Sequence, residues 1–138
     1  MASRLDAAMF AASKAMPDLK KDSVNPHFKN TYASLGAVLA VVKPVAEAEG
    51  LLIEQAANVV DHTPCVTTRV TEVESGDSRE YHSPVILDKE TMQGLGSAIT
   101  YAKRYALVSI FLLDADEDDD GNAASEQEEK SSGGRKVF

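Results

Sequence analysis

The chain has 138 residues, enough for one domain with a single hydrophobic core. No apolar run approaches the roughly 20 residues a membrane helix needs, and the lone Cys65 excludes a disulfide framework or a thiolate metal cluster. The formal charge of −8 looks hostile to nucleic acid, yet residues 1–113 hold 11 Lys and Arg against 13 Asp and Glu while residues 114–138 hold 3 against 9, so a local basic groove is compatible with the total.

The N-terminus lacks the sharp apolar block and small-residue cleavage site of a signal peptide. With a single cysteine, a reducing cytoplasm is the simplest compartment. Residues 2–16 form a predicted amphipathic helix with Leu5, Ala8, Met9, Ala12 and Met16 on one side, and Pro17 stops it. Residues 18–33 are a polar linker with Pro26, Phe28 and Tyr32 as anchors, made locally basic by Lys20, Lys21 and Lys29. Two descriptions fit it. It is a solvated loop pinned by its two aromatics, or it edges a nucleic-acid groove, where Lys29 and Asn30 meet phosphates and Tyr32 stacks on a base.

Ser34 can cap the next helix, whose core face is Leu35, Val38, Leu39, Val42, Val45 and Ala46. Lys43 and Glu47 can pair on its other face, Pro44 should kink it or start a second segment, and Gly50 suits its end. From Leu51 the texture becomes β-branched and alternating. Residues 51–60, 65–73 and 78–86 are three predicted strands, with turns at 61–64 and 74–77. In the middle strand Val66, Thr68 and Val70 share one face, and Cys65, Thr67, Arg69 and Thr71 the other. Such an antiparallel meander needs a cover for its apolar face.

Residues 93–113 supply one cover, a long helix that is mostly apolar. Gly94 and Gly96 weaken its first turn, so a regular helix is expected from about Ser97. Gln93, Gly96, Ser97, Thr100, Lys103 and Arg104 recur on one face; Ala98, Ala102, Tyr105, Ala106, Ser109 and Ile110 lie opposite. A plain solvent face usually mixes Glu with Lys. This stripe has no acid, and its hydroxyls lead into two adjacent cations, which suits a phosphate track.

After Leu113 the composition turns acidic and then Ser/Gly-rich, the pattern of a disordered tail over 114–138. Asp116, Asp118, Asp120 and Gly121 imitate the start of a calcium loop, but its twelfth position is Gln127 and no amphipathic helix follows. His27, His62 and His82 have no metal-ligand spacing. There is no phosphate-cradling glycine motif for ATP, no nucleophile–base set, and no positive argument for catalysis, a metal or a cofactor.

Two segments carry a family resemblance: Asn25-Pro26-His27-Phe28-Lys29-Asn30-Thr31-Tyr32-Ala33-Ser34-Leu35, and Gly96-Ser97-Ala98-Ile99-Thr100-Tyr101-Ala102-Lys103-Arg104-Tyr105-Ala106-Leu107. The chain resembles the ERF (essential recombination function) single-strand annealing proteins of phages over roughly residues 5–122. The resemblance implies an ATP-independent protein of the host cytoplasm. It would bind single-stranded DNA and anneal complementary strands as a ring or another homo-oligomer. It also implies a β-β-β-α core with a positively charged groove, to which the helix after the strands contributes Lys103 and Arg104. Members often carry a further C-terminal region, whereas this chain stops soon after its acidic run.

The expected fold is therefore α+β: N-terminal helices, a three-stranded antiparallel meander and a long helix across it. An annealing domain spans 1–113, followed by the acidic tail, which has room to recruit a recombination partner. The DNA-binding candidates are Lys103, Arg104, Thr100, Ser97, Lys29, Asn30 and Tyr32, with Arg69 and Arg79 added from strand pattern alone. Two alternatives stand beside annealing. One is a non-enzymatic homo-oligomeric assembly protein without DNA binding, and the other is a metal-dependent nuclease using the acidic run.

Overall fold

A computed structural model describes residues 2–116. Helix α1 (Arg4–Ala15) starts where the Ser3 hydroxyl accepts from the Asp6 N–H at 3.0 Å, and Asp6 and Lys14 suit its two dipole ends. Leu5 and Ala12 on its inner face are buried, with Ala8, Met9 and Met16 packed beside them. The polar linker is more ordered than its composition predicts. Strands β1 (Ser23–Val24) and β2 (Thr31–Tyr32) pair antiparallel as a small hairpin. At its tip the Asn25 side chain accepts from the His27 and Phe28 N–H groups, and Lys29 takes φ 58°. Phe28 is about half exposed.

Helix α2 (Leu35–Ala48) is capped by Ser34, whose hydroxyl accepts from the Ala37 N–H at 3.2 Å. Val38, Val42 and Ala46 are buried as the periodicity predicts, but Leu39 is partly exposed. Pro44 does not divide the helix. The N–H it lacks would have bonded Ala40, and both residues lie on the exposed side, where water can satisfy that carbonyl. Lys43 and Glu47 pair at 3.8 Å. Gly50, at φ 75°, ends the helix.

Strands β3 (Leu51–Val60), β4 (Thr63–Glu72) and β5 (Ser78–Pro84) form the antiparallel meander in the order β3-β4-β5. The first turn is tighter than expected. Only Asp61 and His62 separate the Val60–Thr63 pair, both with positive φ, the geometry that matches strand twist in a two-residue hairpin. In the second turn Glu72 accepts from the Ser75 N–H at 2.8 Å, and Gly76 takes φ 79°. The sheet has two unlike faces. Val66, Thr68 and Val70 turn inward and are fully buried, whereas Arg69, flanked by Glu54 and Glu80, turns outward.

Helix α3 (Met92–Ile110) lies across β4 and β5 and against α2. It begins before Ser97, because the Thr91 hydroxyl caps it by accepting from the Gly94 N–H at 2.9 Å. Gly94 also admits a close backbone neighbour: a Cβ there would sit 2.2 Å from the Lys89 carbonyl oxygen. Leu107, Phe111, Val38, Val42, Val70 and Leu51 meet in one core with Leu5 and Ala12.

The folded body continues past the composition break at Leu113. After Leu112 (φ 53°) the chain turns back, Ala115 enters the core, and Asp116 bridges to Tyr32. Burial of one small residue, main-chain pairing and bonds from Arg104 of α3 hold this segment, and none of them leaves a mark in composition. The acidic run at 118–120, Gly121 and Gln127 lie outside the described residues.

Candidate nucleic-acid interface

The polar stripe of α3 has two environments. In the first turns Gln93, Ser97 and Thr100 are exposed. One turn later the same face is roofed by Ala33 and the 111–116 segment, and Arg104 is only 6% exposed. Its Nε–H donates to the Ala33 carbonyl, and its Nη2 donates to the Ala115 carbonyl (3.2 Å) and to Asp116 Oδ1 (2.7 Å). The guanidinium also lies 5.2 Å from the Tyr32 ring centroid and 5.9 Å from that of Tyr105. A planar fork with several donors suits this position, because it ties three chain segments together at once.

The open half of the stripe forms one wall of a cleft of about 450 Å³. Ser97, Thr100, Tyr101 and Arg104 come from α3; Asn25, His27, Asn30, Tyr32 and Ser34 come from the β1–β2 hairpin and the start of α2; Asp116 closes one end. The hairpin wall is held from behind. Asp22 accepts from both the N–H and the hydroxyl of Ser34, each at 2.9 Å, and these bonds lower its pKa from the ordinary carboxylate value. Lys21 reaches Asp114 at 3.7 Å on the same side.

A second cleft, of about 890 Å³, runs along the other flank of α3 between the loop after β5 and the helix. Pro84, Ile86, Ala98, Ala102 and Tyr105 make it largely apolar, with Lys89 and Gln93 among its polar members. Ser97 and Tyr101 line both clefts. Tyr101 and Tyr105 stack with centroids 4.6 Å apart and planes 19° apart, and their hydroxyls lie 3.0 Å from one another. The hydrogen bond to Tyr101, then burial, pushes the Tyr105 phenol up to about 12.

The structure therefore brings Ser97, Thr100, Asn30, Tyr32 and Arg104 together and separates the other candidates. Lys29 sits in the hairpin turn next to Asn30, exposed but outside the cleft lining. Lys103 is half-buried on the sheet side of α3, where its carbonyl accepts from Gln55 Nε2 at 3.1 Å. Arg69 lies on the outward face of the sheet, 3.4 Å from Glu54. Arg79 is bonded to Asp6 of α1. Tyr105, expected opposite the stripe and buried, is about half exposed, as is Tyr101. The available signal was the spacing: two large rings four residues apart on a helix whose neighbouring face is alanine. Among the described residues no cluster of His, Cys, Asp and Glu could hold a metal ion, and no helix is long and apolar enough to cross a membrane.

The sequence matches the family model of the ERF superfamily over residues 5–136, nearly the whole chain. No curated protein and no solved structure matches it.

Proposed function

The chain belongs to the ERF superfamily, a family associated with phage recombination and single-strand annealing whose annealing members are generally non-catalytic, and from that premise we propose that it binds single-stranded DNA in the cleft between the β1–β2 hairpin and α3. The observation that carries the proposal is the make-up of the walls. The two segments in which the sequence resembles annealing proteins lie about 70 residues apart in the chain, and they face each other across one cleft.

In this proposal the hydroxyls of Ser97 and Thr100 and the amide of Asn25 contact phosphate and sugar oxygens. Lys29 acts from the hairpin turn as an exposed charge, and Lys89 attracts the strand at the second cleft. Arg104, paired with Asp116 of the same lining, positions the walls through Ala33 and Asp116. Arg69 and Arg79 have no part, since each is paired away from the cleft. Binding of this kind needs no nucleotide. It brings two coated strands together and leaves base edges for a complement. Homo-oligomeric assembly in the host cytoplasm belongs to the same proposal.

The test is oligonucleotide binding and annealing by the whole chain without ATP and with chelator present. Binding should weaken steadily with salt, and annealing of complementary strands should be accelerated. Replacing both Ser97 and Thr100 with Glu should reduce binding by at least tenfold with an unchanged circular dichroism spectrum. No binding by the parent protein at low salt would refute the proposal. A defined assembly without any salt-sensitive affinity for oligonucleotides would favour a purely structural assembly protein.

A further inference from the structure

We infer that the Tyr101–Tyr105 pair is a stacking platform for a nucleobase, placed where a single strand passes from one cleft of α3 to the other. The inference rests on the DNA-binding proposal above and adds a base contact to it.

Position is the first support. Tyr101 and Ser97 are shared by the two clefts, so a strand running through both crosses the α3 ridge at Tyr101. The second support is exposure. Tyr101 is 55% and Tyr105 47% exposed, although the adjacent inner face of the helix is built from buried Ala102, Ala106 and Leu107. The two rings pack on one another and leave about half of each open to a ligand.

The third support is rigidity. The rings are stacked at 4.6 Å and their hydroxyls are joined at 3.0 Å. Tyr105 neighbours the Arg104 guanidinium, which is fixed by Ala33, Ala115 and Asp116 and lies over Tyr32 on its other contact. The result is a run of contacts from Tyr32 through Arg104 and Tyr105 to Tyr101. A base that adds to it immobilises little that is not already ordered. The Tyr105 phenol, pushed up to about 12, is neutral in the physiological range and places no negative charge beside a phosphate.

The chemistry also suits annealing. Stacking uses the π face of a base, tolerates any sequence and leaves the Watson–Crick edge unbonded. A complementary strand can then pair with a base that is held but not read.

Wild-type protein, Tyr101→Ala and Tyr101→Phe are titrated with a thymidine oligonucleotide and with an abasic oligomer of the same length and charge. Wild type and Tyr101→Phe should bind the thymidine strand at least about tenfold more tightly than the abasic strand, because Phe keeps the ring. Tyr101→Ala should lose that preference, its affinity for the thymidine strand falling to that for the abasic strand. Equal losses on both strands, or no loss on either, would overturn the platform while leaving the cleft proposal standing. Failure of the wild type to bind any oligonucleotide would remove both. Photocrosslinking of unmodified protein to a 5-iodouracil oligonucleotide gives an answer independent of the variants. The crosslink should fall on Tyr101 or Tyr105, and crosslinks confined to other residues would contradict the inference.

Discussion

The two halves of α3 present one helical face to two different surroundings. Through Tyr101 that face is open, and Ser97 and Thr100 line a cleft. From Arg104 onward it is covered, so that Arg104 meets Ala33 and Asp116 while Leu107 and Phe111 enter the core. The difference comes from outside the helix. The β2–α2 junction and the returning 111–116 segment roof only its last turns. Periodicity can define a face, but what lies above that face is decided by segments far away in the sequence.

Arg104→Ala tests the covered half most severely. It strands the Ala33 carbonyl and leaves Asp116 without its partner, while the Ala115 carbonyl keeps the Ala33 N–H at 2.8 Å, and it should cost about 2–4 kcal/mol in urea unfolding. Arg104→Lys should recover only part of this, since an ammonium cannot reproduce the fork. Lys103→Ala should change stability by less than about 1 kcal/mol. Equal stability losses at the two positions would erase the contrast between them.

The glycines of the open half give a smaller, signed pair. Gly94→Ala places a methyl against the Lys89 carbonyl and should destabilise by about 1–3 kcal/mol in thermal melts. A Cβ added at Gly96 would meet nothing within 4 Å, so Gly96→Ala should stabilise by about 0.5–1 kcal/mol through helix propensity.

The smallest expected effect is on pH dependence. Asp22 behind the hairpin wall, Asp6 beside Arg79 and Glu72 in the second turn all have lowered pKa values, through bonds to Ser34, Arg79 and Ser75 respectively. A carboxylate with a lower pKa in the folded state binds fewer protons there than in the unfolded chain. Its stabilisation is present at neutral pH and is lost as pH falls through the carboxylate range. Melting temperature should be flat from about pH 8 to 5 and decline below about pH 4, with Asp22→Asn removing part of the decline.

Much of this fold is legible in the sequence. The inward alternation of Val66, Thr68 and Val70 and the spacing of Val38, Val42 and Ala46 are strong periodic signals, and both mark residues that are buried. The β1–β2 pairing is too short for any period to reveal. The Asp61–His62 turn relies on two positive φ values that neither glycine nor Asn-Gly announces. At the candidate site, adjacent Lys103 and Arg104 look equivalent because nothing in their spacing discloses the roof over Arg104. Tyr105 looks internal because the inner face of α3 shifts once α2 and the sheet both claim part of it. That residues 25–35 and 97–104 face each other is a matter of tertiary packing, and only the family resemblance linked the two segments beforehand.

Hydroxyl-radical footprinting of the whole chain, with and without saturating oligonucleotide, tests the proposed seat of the strand most directly. His27 and Tyr101 line the cleft, whereas Phe10 on α1 and His82 on the outward face of the sheet are exposed and lie outside both clefts. A strand seated in the cleft should protect His27 and Tyr101 together and leave Phe10 and His82 as reactive as before. Protection of His82 with an unchanged His27 and Tyr101 would place the strand on the opposite side of the sheet and contradict the proposed seat.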